Sequence, residues 1–209
     1  MSEFEDAFAE MPIVAIIRGV RAAEVVAVAE ALYASGIRLV EVPLNSPDPF
    51  EAVAVLEAMR GRMVWGAGTV LRPGDVDRVG IAGGQIVVSP NTDAAVIRRS
   101  VERGLTPMPG FATASEAFLA LESGARCLKL FPAATYGPGH LKALKAVLPS
   151  EAVVIPVGGV GPAQMADWWA AGARGFGLGS EVYKAGMAPE EVGRRAADAV
   201  AALSAVIKG

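Results

Sequence analysis

The sequence predicts an α/β protein, a (β/α)8 barrel of the TIM type preceded by a short N-terminal helix. Three observations predict it. Eight short, β-rich apolar runs begin at intervals of 20 to 26 residues, each interval long enough for a strand, a helix of about 11 residues and two short loops. The runs are continuously apolar rather than alternating, as in a parallel sheet covered by helices. The intervals between them carry helix start and stop signals. An open doubly wound sheet is the competing arrangement, but no GxGxxG turn follows the first run, as dinucleotide-binding sheets of that kind require.

Taken in order, the segment from Glu3 to Met11 reads as a helix covering the bottom of the barrel. The runs are IVAII from Ile13, IRLVEV from Ile37, MVWGAG from Met63, QIVVS from Gln85, LTPMP from Leu105, RCLKLF from Arg126, AVVIPV from Ala152 and RGFGLG from Arg174. Helix starts are marked by Pro73-Gly74-Asp75, Asn91-Thr92-Asp93, Thr113 with Glu116 at capping-box spacing, and Gly161-Pro162, and Gly closes several of these helices. The final stretch from Pro189 to Gly209 reads as the eighth barrel helix. No linker and no internal repeat appears, so residues 1–209 read as one domain.

The chain has 19 basic and 22 acidic residues and a formal net charge of -3, which gives no excess of positive charge for a nucleic-acid backbone. One Cys and one His argue against a disulfide framework and a histidine-rich zinc site. The expectation is chemistry without a metal or other cofactor. The first twelve residues, MSEFEDAFAEMP, are acidic where a signal peptide is basic and then apolar, so a cytoplasmic location is expected. No uncharged apolar run nears the roughly 20 residues that span a bilayer, and no membrane role is expected.

Barrel active sites lie at the C-terminal ends of the strands, so the polar residues there carry the functional signal. They are Arg18, Glu41, Thr69, Ser89-Pro90-Asn91, Lys129, and two glycine-rich ends, Val157-Gly158-Gly159 and Gly177-Leu178-Gly179-Ser180. Lys129 stands out because the four other lysines, Lys142, Lys145, Lys184 and Lys208, fall in or near helices. A lysine in an apolar strand is pushed toward the free amine, the form that attacks a carbonyl. The alternative is a structural pair with Glu41, itself a single charge in an apolar run. A carboxyl facing that amine suits proton transfer in iminium chemistry, and a structural ion pair is again the alternative. The glycine-rich ends on the last two strands fit a phosphate site built from backbone N–H groups; turn chemistry alone would also explain the Gly pair. His140 reads as a surface or capping residue. Cys127 is expected to face away from Lys129, packed against a helix. Trp168-Trp169 reads as helix packing or an oligomer contact, and Arg98, Arg99 and Arg103 as a solvated helix face.

These residues closely resemble the class I aldolases that cleave 2-keto-3-deoxy-6-phospho sugar acids, the KDPG/KHG aldolase family. The resemblance runs from about Pro12 to Gly186. It rests on Ile16-Ile17-Arg18-Gly19, Glu41-Val42-Pro43-Leu44-Asn45-Ser46-Pro47, Gly66-Ala67-Gly68-Thr69, Ser89-Pro90-Asn91, Pro109-Gly110, Leu128-Lys129-Leu130-Phe131-Pro132, Gly158-Gly159-Val160 and Gly177-Leu178-Gly179-Ser180, in that order. Asn45 and Val157, where the gluconate branch has Arg and Thr, make it look like the galactonate branch. The resemblance implies that Lys129 forms the Schiff base and that Glu41 is the acid/base residue. It places Arg18 and Thr69 near the substrate carboxylate, Phe131 beside the lysine, Val157 near the C4 oxygen, and Gly158, Gly159, Gly179 and Ser180 around the phosphate. It implies a phosphorylated keto-deoxy sugar acid as substrate and a homotrimeric assembly. The nearest competing readings are the gluconate epimer or both epimers as substrate. A phosphate-binding barrel isomerase or synthase and a non-catalytic sugar-phosphate-binding barrel compete from other classes.

Overall fold

The computed structural model describes residues 2–208; the chain ends of the expected domain, Met1 and Gly209, lie outside them. Each of the eight apolar runs forms a parallel strand, and a further two-residue strand, Gly110–Phe111, follows directly after the fifth. Strands β1 (Ile13–Ile16), β2 (Leu39–Pro43), β3 (Val64–Gly68), β4 (Ile86–Val88), β5 (Thr106–Met108) and β9 (Phe176–Leu178) form one sheet in the order β5-β4-β3-β2-β1-β9. Strands β6 (Gly110–Phe111), β7 (Cys127–Leu130) and β8 (Val153–Pro156) form a second. The break between β5 and β6 falls at Pro109, which has no N–H to give to a ladder. The sheets still meet at both seams. At one, the Lys129 N–H donates to the Pro109 carbonyl at 2.9 Å; at the other, Val157 bridges Gly177 and the Arg174 N–H donates to the Val154 carbonyl at 3.0 Å. The fold is thus a curled, parallel α/β arrangement.

Helices α2 (Ala22–Ala34), α3 (Pro49–Val55), α4 (Pro73–Ile81), α5 (Ala94–Glu102), α6 (Ala114–Glu122), α7 (Ala133–Lys145), α8 (Met165–Ala170) and α9 (Pro189–Lys208) follow the strands. The expected caps form. Asp93 accepts from the N–H groups of Ala95 and Val96, and Thr113 and Glu116 make a reciprocal capping box. Gly161-Pro162 opens a 3-10 turn before α8.

Alternation along the strands sorts the core into two layers. Ile13, Ala15, Val40, Val42, Leu128 and Leu130 face outward and pack with the helices. Val14, Ile16, Leu39, Val64, Ile86, Met108, Cys127, Ile155 and Val157 face inward and pack with one another. Helix α1 (Glu3–Glu10) covers one end of this inner layer as expected, with the stacked rings of Phe4 and Phe8 packed against it.

Cys127 belongs to the inner layer, which corrects the expectation that it packs against a helix. Side chains two apart on a strand share a face, so Cys127 and Lys129 must point the same way. Trp168 is buried and Trp169 partly buried, with the Arg174 guanidinium 5.2 Å from its ring. Arg99 and Arg103 pair with Asp77 of α4 in a largely solvated network, where such pairs are worth little. His140 stacks on Tyr136 and hydrogen-bonds the Ala112 carbonyl, between β6 and α6, at 2.6 Å. Among the described residues no helix is long and apolar enough to cross a membrane, and no cluster of three or more His, Cys, Asp or Glu could hold a metal.

Candidate active site

At the C-terminal strand ends lies a cavity of about 430 Å³. Arg18, Thr69, Lys129, Phe131, Val157, Gly158, Gly159, Gly179 and Ser180 all line it. Strand geometry explains the convergence. In a parallel sheet every C-terminal end points the same way, so residues from five strands reach one mouth although they are spread over 163 positions of sequence from Arg18 to Ser180. A larger hollow, about 600 Å³, opens at the opposite end beneath α1. Its walls include Phe4, Phe8, Leu105, Cys127 and Val153, with Glu5, Arg126 and Glu151 also lining it and no lysine among the described lining residues.

Glu41 lies behind the cavity wall. It is 2% exposed, and its Oε2 has no hydrogen-bond partner. Gly68 on the neighbouring strand makes room for it, since a Cβ there would overlap the carboxyl oxygens. Burial drives this carboxyl up to about 7, against the opposing pull of Lys129 and, less strongly, Arg18. Lys129 is 6% exposed. Burial pushes its ammonium down; Glu41 resists that shift and Arg18 adds to it. Desolvation therefore favours the uncharged form of both groups. The Lys129 Nζ lies 4.9 Å from the centre of the Phe131 ring, and no hydrogen bond joins it to Glu41 among the described residues. An amine pushed toward its free form and opening on a cavity, with a carboxyl of near-neutral pKa behind it, can act as a nucleophile with a proton donor and acceptor.

Arg18 follows β1 and is exposed. Its guanidinium donates to Asn45 Oδ1 after β2, while the Gly19 N–H donates to Ser46 Oγ at 2.9 Å. The Asn45-Ser46 pair thus anchors the turn that presents Arg18. Thr69 sits at φ 57, a left-handed conformation that a β-branched residue holds only where its surroundings fix it. Val157 is buried at the cavity wall, its N–H given to the Leu130 carbonyl at 3.0 Å.

Gly158 and Gly159 have φ of 95 and 72, and a Cβ on Gly159 would come within 2.7 Å of Ala134 Cβ. Glycine is required there on both counts. The N–H groups of Gly159 and Ser180 have no acceptor among the described residues. The Gly179 N–H donates to Glu181 Oε2 at 3.2 Å, and Ser180 Oγ donates to Glu181 Oε1 at 3.3 Å. A carboxylate thus already rests on part of this backbone cradle, so the cradle has the polarity an anion needs.

Every residue to which the resemblance gives a site role therefore lines the cavity or, for Glu41, backs it, whereas of Ser89-Pro90-Asn91 only Pro90 lines it. Sequence reasoning missed Glu181, Tyr183, Lys184 and Ala185, which also line it. Lys184 is not an ordinary solvated helical lysine: residues 180–188 form turns between β9 and α9. Their position directly after the Gly179-Ser180 strand end was the available signal.

The model of the family described as KDPG and KHG aldolase matches residues 4–196. The chain is 47% identical to 2-dehydro-3-deoxy-6-phosphogalactonate aldolase of Escherichia coli, over 90% of this chain and 92% of that protein. A solved structure described as native KDPGal superposes with a TM-score of 0.94 and 44% identity, covering 96% of this chain and 98% of the other. The KDPG aldolase of Legionella pneumophila, solved with pyruvate captured at low pH as a covalent carbinolamine, superposes with a TM-score of 0.86 and 26% identity, covering 95% and 98%.

Proposed function

Because the chain belongs to the KDPG and KHG aldolase family, we propose that it is a class I aldolase, a carbon–carbon lyase that cleaves 2-dehydro-3-deoxy-6-phosphogalactonate to pyruvate and D-glyceraldehyde 3-phosphate. The observation that carries this reading is the buried Lys129 amine opening on the strand-end cavity with Glu41 behind it. Lys129 Nζ attacks C2 of the keto acid. Glu41 protonates the departing hydroxyl as the carbinolamine loses water, leaving a protonated iminium. Glu41, now a carboxylate, takes the C4 hydroxyl proton as the C3–C4 bonding pair flows into the iminium, which releases the aldehyde and leaves an enamine. Protonation at C3 and hydrolysis free pyruvate and restore the amine.

Arg18 and Thr69 bind the substrate carboxylate, where a charge-assisted hydrogen bond contributes about 1.5 to 3 kcal/mol. Phe131 flanks the lysine, Val157 faces C4, and Gly158, Gly159, Gly179 and Ser180 hold the phosphate, which fixes C4 over the amine. No cofactor takes part. The two unpartnered N–H groups and the Glu181 carboxylate on the cradle support the phosphate assignment.

The gluconate epimer is the second reading, since an apolar Val157 offers no hydrogen-bond partner to either C4 configuration and apolar walls discriminate only modestly. Measuring kcat/KM on both C4 epimers, with the products identified, tests the reaction. Faster cleavage of the galactonate epimer to pyruvate and glyceraldehyde 3-phosphate is expected; cleavage of neither epimer overturns the reading.

The same proposal takes residues 1–209 as one closed (β/α)8 barrel domain, working in the cytoplasm as a homotrimer. Hydrogen bonding at both seams between the sheets supports closure. Light scattering tests the assembly, with a particle of about three times 21.5 kDa expected.

A further inference from the structure

We propose that Lys184 supplies the side-chain positive charge of the phosphate subsite, a role that rests on the aldolase reading above. Three cationic side chains line the cavity: Arg18, Lys129 and Lys184. Lys129 is the buried amine, and as a nucleophile it must be uncharged. Arg18 is drawn toward β2 by its hydrogen bond to Asn45, away from β9, because β1 lies between β9 and β2 in the sheet. Lys184 is left on the β9 side. It follows the Gly179-Ser180 cradle by four residues and is exposed to solvent.

The turn that carries Lys184 is held in place from both directions. The N–H groups of Val182 and Tyr183 donate to the Gly179 carbonyl at 3.0 and 2.9 Å, and the Met187 N–H donates to the Lys184 carbonyl at 2.9 Å. A Cβ on Gly19 would come 3.0 Å from Ala185 Cβ, so residue 185 packs closely on the turn after β1. Tyr183 is 3% exposed and fixes the loop to the core. The backbone beside Lys184 is therefore anchored while its flexible stem faces the cavity mouth.

Charge makes the case for such a group. A phosphate monoester brings a charge of about -1.5 to -2 at neutral pH. Backbone N–H groups offer only partial charges, and Glu181 brings a carboxylate onto the same cradle. A phosphate reaching the Gly179 N–H must displace Glu181 and then lie near it. Lys184 is the one cation on that side able to offset both charges among the described residues that line the cavity.

The test is the dissociation constant of glycerol 3-phosphate for the whole protein and its Lys184→Ala and Lys184→Arg variants, at two ionic strengths. Lys184→Ala should weaken binding about tenfold at low salt, as loss of one charge-assisted contact at an exposed site implies, and should flatten the salt dependence. Lys184→Arg should bind within about threefold of wild type, since a guanidinium preserves the charge. Binding to Lys184→Ala within twofold of wild type overturns the proposal, as does an Arg variant no better than Ala. Absence of glycerol 3-phosphate binding to wild type overturns it too. Pyruvate and borohydride applied to the same preparations report on Lys129 alone, so failure of the aldolase reading shows as a missing adduct whatever the phosphate arm gives.

Discussion

Cys127 and Lys129 lie two residues apart on β7 and face the same interior, one at the end covered by α1 and the other at the open end. Burial acts on both in the same physical sense, by disfavouring the charged form. For the thiol, pushed up to about 12, the result is an inert group, because the thiolate is its reactive form. For the lysine, pushed down, the result is a group closer to its reactive form, because the neutral amine is the nucleophile. One desolvating interior thus silences the chemistry at one end and favours it at the other. What separates the ends is the company each residue keeps: Cys127 has Phe4, Phe8 and apolar strand residues around it, while Lys129 has Glu41, Arg18 and an open cavity.

The largest expected break in this contrast is Glu41→Gln. Loss of the proton donor should lower kcat by about 10²- to 10⁴-fold, and a pH profile of the wild type should show an ionisation near 7 that the variant lacks. The same change should alter stability in the other direction. A carboxyl raised from 4.5 to about 7 on folding contributes stability that is complete below the lower value and is lost as the pH rises through the upper one. Denaturant unfolding at pH 4.5 and pH 8 should therefore show the Gln variant gaining on wild type at the higher pH. An equal difference at both pH values would mean that Glu41 titrates normally.

At the covered end the pattern reverses. Cys127→Ser puts a hydroxyl among apolar groups and should cost about 1 to 3 kcal/mol of folding stability, with kcat/KM held within about twofold. A large loss of activity at unchanged stability would show that the two ends are not chemically separate. The smallest effect belongs to the rim. Val157→Thr should raise cleavage of the gluconate epimer relative to the galactonate epimer by about tenfold or less. A flat ratio of kcat/KM would remove Val157 as the discriminator.

Most of the fold was legible because strand and helix periods differ, and the spacing of apolar runs marks every strand that forms except the two-residue β6. The site was legible for a related reason: a charge in a continuously apolar strand, as at Glu41 and Lys129, has few structural explanations. Three features were not legible. The break between β5 and β6 depends on which prolines fall at ladder positions, which register decides. Glu181 and Lys184 belong to a loop whose charges look like ordinary surface in sequence, and only their position directly after the Gly179-Ser180 strand end marks them. Cys127 sits in a run apolar on both faces, where burial alone does not tell the faces apart and only the period of two places it with Lys129.

The most direct measurement is to incubate the protein with pyruvate, reduce with borohydride and map the modified residue by peptide mass spectrometry. Reduction of an iminium leaves a stable secondary amine on whichever lysine formed it. The account predicts one adduct, on Lys129, absent from Lys129→Ala and not transferred to Lys184, the other lysine lining the cavity. No adduct, or an adduct on Lys184 with Lys129 untouched, would contradict it.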